Sequence, residues 1–163
     1  MLISDYDYDL PEELIARYPA GARRDSRLLV VGERFLGLGF ADLPSQLRPG
    51  DLLVFNDTRV IKARLRARKE TGGKAEILIE RIDGPRTALA QVRASKSPQP
   101  GGRLLLEGGG EARVTGRAGS FFGLEFSSDV LPYLDLHGAV PLPPYLEREA
   151  EDDDVERYQT VYA

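Results

Sequence analysis

Along residues 59–69, "RVIKARLRARK", apolar and basic positions alternate: Ile61, Ala63, Leu65 and Ala67 are apolar, and Lys62, Arg64, Arg66 and Arg68 are cationic. A period of two is the mark of a strand with one face turned to a core. Five more segments of strand character follow at short spacing, "KAEILIERI", "TALAQVRA", "RLLLE", "EARVTGR" and "FFGLEFS". The breaks between them, "ETGG", "DGPR", "SKSPQPGG", "GGG" and "AGS", are rich in turn-forming residues. Ala112 and Val114 oppose Glu111, Arg113 and Thr115, and Phe122, Leu124 and Phe126 share one face. Regular short strands with glycine-rich turns predict a small barrel or sandwich.

The opening has a different texture. "DLPEELIARYP" predicts a short helix, capped by Asp9, started by Pro11 and closed by Pro19. "SRLLVV" predicts a buried strand, "FADLPSQLRPG" a second short helix ending at Pro49-Gly50, and "DLLVF" another apolar strand. This part is α/β in character. From Leu131 onward, "LPYLDLHGAVPLPPYLERE" carries so many prolines that it reads as an extended connection.

Composition narrows the chemistry. The 163 residues contain no cysteine and one histidine, His137, which excludes disulfides, thiol catalysis and a Cys/His zinc site. The N-terminus is acidic where a secretory signal is basic, and no window approaches the ~20 apolar residues of a membrane span. The expected location is therefore the cytoplasm, away from membranes. The net charge of -4 hides a separation: Arg59, Lys62, Arg64, Arg66, Arg68, Lys69 and Lys74 face only Glu70, whereas "EREAEDDDVER" is strongly acidic. A strand would set its four alternate cations ~6.6 Å apart on one face. Such a row repels itself unless an anion lies against it, and a nucleic-acid backbone is one candidate; pairing with Glu76 and Glu80 is the other. Lys96, in a loop near Arg93, extends the same basic character.

Between "DLLVF" and the basic strand lies "NDTR". Asn56 and Thr58 can hold a substrate by hydrogen bonds, Asp57 can accept a proton or bind a hydroxyl, and Arg59 can grip a carboxylate or phosphate. The same residue types also build an Asx-turn that only redirects the chain. "ETGGK" lacks the spacing of a phosphate loop and reads as a hairpin turn.

Taken in order, "DYDLPEELIARYP", "DSRLLVV", "LRPGDLLVFNDTRVIKARL", "KETGGKAEILI", "VRASK", "PLPPYL" and "ERYQTVYA" resemble the S-adenosylmethionine:tRNA ribosyltransferase-isomerase family of queuosine biosynthesis. Lys62 and Ala94 stand where that family usually has proline. The family's later motif resembling "APTAGLHF" is absent, so the chain is expected to be an N-terminal portion. The resemblance implies an α/β domain, incomplete in this chain, with a six-stranded barrel-like domain inserted: 1–58 the first part, 59–135 the barrel, and 136–163 the return segment. It implies transfer and isomerisation of the ribosyl part of S-adenosylmethionine onto a 7-aminomethyl-7-deazaguanine in the tRNA anticodon. The product is epoxyqueuosine, with release of adenine and methionine.

S-adenosylmethionine is then a consumed co-substrate, no metal is called for, and a monomer is the expected state. By the same resemblance Asp57 is the candidate base, and Asn56, Thr58, Arg59, Tyr145, Tyr158, Gln159 and Thr160 line the substrate site. Lys62, Arg64, Arg66, Arg68, Lys69, Lys74, Arg93 and Lys96 contact tRNA. "NDTR" is expected to bend the chain from one domain to the next while presenting polar groups to substrate in the cleft between them. The alternatives are a non-catalytic RNA-binding barrel, an adaptor that offers "PLPPYL" to aromatic grooves, and a portion inactive without the rest of the protein.

Overall fold

A computed structural model of the chain describes residues 2–55 and 57–159. The chain forms two compact units: one comprises 2–55 with Pro143–Glu149, the other Asp57–Leu142 with 150–159.

All six strands expected after Arg59 form. They are β3 (Arg64–Lys69), β4 (Lys74–Gly84), β5 (Thr87–Ala94), β6 (Arg103–Leu106), β7 (Glu111–Ala118) and β8 (Phe121–Phe126). Every pairing is antiparallel, and the order β3-β4-β5-β8-β7-β6 closes on itself through β3 and β6. Closure leaves this sheet without a free edge. The inward row mixes large and small side chains: Leu65, Ile77, Leu104, Val114 and Leu124 are wholly buried, and Ala67, Ala75, Ala88, Ala90 and Ala112 fill the narrower levels between them. A register shift between Ile79 and Arg81 gives β4 an extra residue, so Ile82 returns to the core side opposite Ala88.

Residues 130–137 depart from expectation. They form a helix, α1 (Val130–His137), rather than an extended connection. Pro132 lies in its first turn, where an N–H has no helical acceptor to lose. Val130, Tyr133 and Leu134 bury their side chains in the barrel's own core cluster. The Tyr133 phenol donates to the carbonyl oxygen of Gly109 at 2.8 Å, with that of Glu107 at 3.1 Å. One of those carbonyls precedes the "GGG" turn and the other lies within it, where Gly108, Gly109 and Gly110 all hold positive φ (105°, 93° and 83°). A side chain at Gly108 would also collide with the His137 ring. Gly138, which ends α1, packs so closely on the backbone that a Cβ there would overlap the carbonyl oxygens of Lys62 and Leu134. The chain then runs back beside β3, with Arg64 and Ala139 exchanging backbone hydrogen bonds of 3.1 and 2.8 Å.

The first unit is built differently. β1 (Arg27–Val30) and β2 (Leu36–Gly39) form a two-stranded antiparallel sheet, followed by a 3-10 turn at Phe40–Gln46. The expected strand "SRLLVV" therefore exists, but it is not buried: Leu29 is 62% exposed. "DLLVF" forms no strand, because an apolar run becomes one only where a partner supplies hydrogen bonds, and residues 51–55 have none in a sheet. "DLPEELIARYP" yields a single 3-10 turn, Glu12–Leu14, since two prolines leave too few residues between them to propagate a helix. Among the described residues of this unit there is no α-helix, and none of 2–55 is buried. No described helix is long and apolar enough to cross a membrane.

Burial raises the Tyr133 phenol above its ordinary pKa. Its contribution is therefore intact below about pH 10 and lost as pH rises through the raised value. Tyr133→Phe is expected to lower unfolding free energy by about 1 kcal/mol in urea titrations at pH 7. The gap between the two proteins should narrow at strongly alkaline pH.

Candidate functional site

Two sets of predicted site residues can be followed in the barrel unit. The first is the basic set. β3 turns Leu65 and Ala67 inward, which forces Arg64, Arg66 and Arg68 onto the outer face. The register then fixes their neighbours: Arg66 is opposite Glu76, and Glu76 is opposite Arg93 on β5. Arg68 is opposite Lys74. Arg64, Arg66, Arg68, Lys74 and Arg93 thus share the outer face of three adjacent strands. Lys69, at the end of β3, donates through Nζ to the carbonyl oxygen of Lys96 at 3.1 Å, joining the loop after β5 to this region.

Lys62 is the exception. It precedes β3, and its Nζ donates to the carbonyl oxygen of Asp135 at 3.1 Å, near the C-terminal end of α1, where a cation is favoured. The sequence alternation placed it in the row; the later start of β3 takes it out.

The electrostatics of this face are lopsided. Arg64 reaches Glu76 at only 3.9 Å from Nε and donates through Nη2 to the carbonyl oxygen of Leu142 at 2.9 Å. Its Nε is buried and has no hydrogen-bond partner. Glu70 is engaged by Arg103, whose other acidic neighbour is Glu111 at 3.4 Å. Among the described residues, Arg68, Lys74 and Arg93 form no ion pair. Like charges directly across a strand pair, as at Arg68 and Lys74, destabilise the sheet. An anionic ligand laid against this face would offset that repulsion.

The second set surrounds "NDTR". Asn56 and Thr160 lie outside the described residues. Asp57, Thr58 and Arg59 are exposed, in irregular chain at the start of the barrel unit. Gln159 lies beside them through Val60: the Val60 N–H donates to Gln159 Oε1 at 2.9 Å, and Gln159 Nε2 donates to the Val60 carbonyl at 2.7 Å. This pair, 99 residues apart in sequence, brings Tyr158–Gln159 beside the Asp57–Val60 segment. Tyr158 is partly buried at the C-terminal end of α2 (Asp152–Arg157).

Tyr145 belongs to the other unit. There it borders a small hollow of about 90 Å³ with Glu12, Ile15, Arg17 and Glu147. Arg17 pairs with Glu147 at 2.8 Å, and the Arg148 guanidinium lies 4.4 Å over the Tyr18 ring while donating to the Arg17 carbonyl at 2.8 Å. These contacts seat Pro143–Glu149 against residues 15–18. Among the described residues no cluster of three or more His, Asp or Glu side chains is placed to hold a metal.

Sequence reasoning missed the contacts of Arg64 with Leu142 and of Val60 with Gln159. Neither carries a local signal, since each joins residues more than 70 positions apart.

Comparison with known proteins gives a consistent set of relatives. The sequence model of the family described as "Queuosine biosynthesis protein" matches residues 3–163. A curated relative from Aromatoleum aromaticum, named S-adenosylmethionine:tRNA ribosyltransferase-isomerase, is 58% identical over 166 residues. The match covers 100% of this chain and 48% of the relative, so the chain spans about half the relative's length. A crystal structure of the S-adenosylmethionine tRNA ribosyltransferase of Thermotoga maritima is similar at 30% identity, covering 94% of this chain and 53% of that one, with a TM-score of 0.43.

Glu76 supplies the acid nearest the centre of the basic face. Glu76→Gln is expected to elute later from heparin in a salt gradient, with a stability change below about 1 kcal/mol, the usual scale of partly exposed pairs. Earlier elution would separate Glu76 from that face.

Proposed function

Since the chain belongs to the queuosine biosynthesis protein family, we propose that it is the barrel-bearing half of a tRNA-modifying ribosyltransferase-isomerase. The reaction proposed moves the ribosyl part of S-adenosylmethionine to the aminomethyl group of a 7-deazaguanine in the anticodon. Rearrangement of that sugar gives epoxyqueuosine, and adenine and methionine are released. S-adenosylmethionine is a substrate in this scheme, and no step calls for a metal. The observation that carries the reading is the basic outer face of β3, β4 and β5, in the same unit as Asp57–Arg59.

The chemistry divides among this chain's residues in the following way. The sulfonium acidifies the adjacent C–H, and Asp57 is the side chain proposed to remove that proton or to hold a ribosyl hydroxyl. Thr58, Arg59 and Tyr158 orient the sugar and methionine groups, with Asn56, Tyr145 and Thr160 proposed alongside them. Arg64, Arg66, Arg68, Lys69, Lys74, Arg93 and Lys96 hold RNA phosphates, and Lys62 flanks them. The first unit is proposed as the opening part of an α/β domain completed by the half of the protein that the relatives carry in addition. Its lack of buried residues, with Leu52 86% and Val54 84% exposed, supports this. The proposed setting is cytoplasmic and monomeric.

The test is adenine release from S-adenosylmethionine with precursor-bearing anticodon stem-loop RNA, comparing this chain with a polypeptide of the relatives' full length. Release by the longer form alone places essential groups in the other half, and release by neither would sink the proposal. In an active form, Asp57→Asn should lower turnover at least ~100-fold, the lower range for a general base, with RNA affinity unchanged.

A second reading, a non-catalytic RNA-binding barrel, rests on the same basic face and predicts binding without adenine release. Under either reading Arg68→Ala should reduce the slope of log K against log salt by about 0.7–0.9, one phosphate contact. An unchanged slope would remove Arg68 from the interface.

A further inference from the structure

The stretch 57–63 enters the barrel unit without belonging to a strand. Chain outside a strand has no ladder to satisfy its N–H and C=O groups, and at a partly buried position they need other partners. At Val60 both are supplied by one side chain. The Gln159 amide accepts from the Val60 N–H at 2.9 Å and donates to the Val60 carbonyl at 2.7 Å. A primary amide shows a donor and an acceptor on one edge, as a peptide group does to an antiparallel neighbour.

From this geometry we infer that Gln159 is a positioning residue: its amide serves as a one-residue strand that locks Val60 and so fixes the adjoining Asp57–Arg59 segment. This extends the functional reading above, on which its catalytic consequence rests. Gln159 is itself anchored. Asp154 is buried in α2, where its carboxylate accepts from the Glu151 N–H at 2.8 Å. The Tyr158 N–H donates to the Asp154 carbonyl at 2.9 Å, and the Gln159 N–H to that of Glu156 at 3.2 Å. The acidic run "EAEDDDVER" thereby acquires a structural purpose, as the helix that roots the clamp. Three residues after Val60, the Ala63 carbonyl accepts from the Ile79 N–H at 2.9 Å, and the Arg64–Ala139 backbone pair follows, so the segment leading on from Val60 is held at both ends.

Few side chains can replace Gln159. Asparagine is one methylene short, lysine has no acceptor, and an ionised glutamate has no donor.

The test reads amide exchange of Val60 by NMR in this chain. Gln159→Ala should lower Val60 protection about 10-fold, one hydrogen bond's worth, while core amides of β4 and β5 are unmoved. Gln159→Glu should give partial protection at neutral pH and recover as pH falls through ~4.3, where the protonated carboxyl regains a donor. A filler of space alone would show no such pH dependence.

In an active polypeptide of full length, Gln159→Ala should lower kcat for adenine release about 10-fold, with KM for S-adenosylmethionine and RNA affinity little changed. Unaltered Val60 protection in Gln159→Ala overturns the clamp. Lost protection with normal kcat, or a rise in KM alone, overturns the positioning role and makes Gln159 a substrate contact or a bystander. Absence of adenine release in the wild-type polypeptide, with Val60 responding as expected, supports the clamp and counts against the functional reading instead.

Discussion

Closure of the six-stranded barrel is the constraint from which the rest follows. A barrel this narrow has room inside only for its own side chains, so alternate residues of every strand are committed to the interior. Leu65 and Ala67 take those places on β3, which leaves Arg64, Arg66 and Arg68 nowhere to go but outward. The basic face is therefore a product of packing. Because β3 pairs on both sides, its outer residues are also held at fixed spacing across β4 and β5. The row of charge is therefore set by the sheet and needs little ordering to keep its spacing.

The barrel was legible in the sequence because its information is local. A period of two, interrupted by "ETGG", "GGG" and "AGS", identifies each strand without knowledge of its partner. Elements that depend on distant partners were read less well. "DLLVF" has the composition of a strand but is paired in no sheet of the described residues. α1 was obscured by Pro132, a helix breaker in most positions that is harmless in a first turn. What stabilises α1 is the burial of Val130, Tyr133 and Leu134, a property of the barrel it covers.

The same distinction runs through the site. The alternation of charge from Lys62 to Arg68 gave most of the basic face, and failed at Lys62 because a period cannot tell where pairing begins. Gln159 was legible as a polar group near the end of a characteristic motif. That both ends of its amide meet Val60 depends on a contact spanning 99 residues, which no pattern reports. Composition likewise registers seven acids from Glu147 to Glu156 only as a strongly acidic run, whereas one of them, Asp154, is buried as part of a helix start.

The ties at residues 60–64 have a consequence for ancestry. Val60 is bound to Gln159, the Arg64 backbone to Ala139, and the Arg64 guanidinium to the Leu142 carbonyl. The polypeptide therefore goes into the barrel and comes out of it at one spot. A module with neighbouring ends can be spliced into a surface loop of an unrelated host for little more than the entropy of closing a short loop. Such a barrel is portable, since its row of cations travels with the strands that hold it.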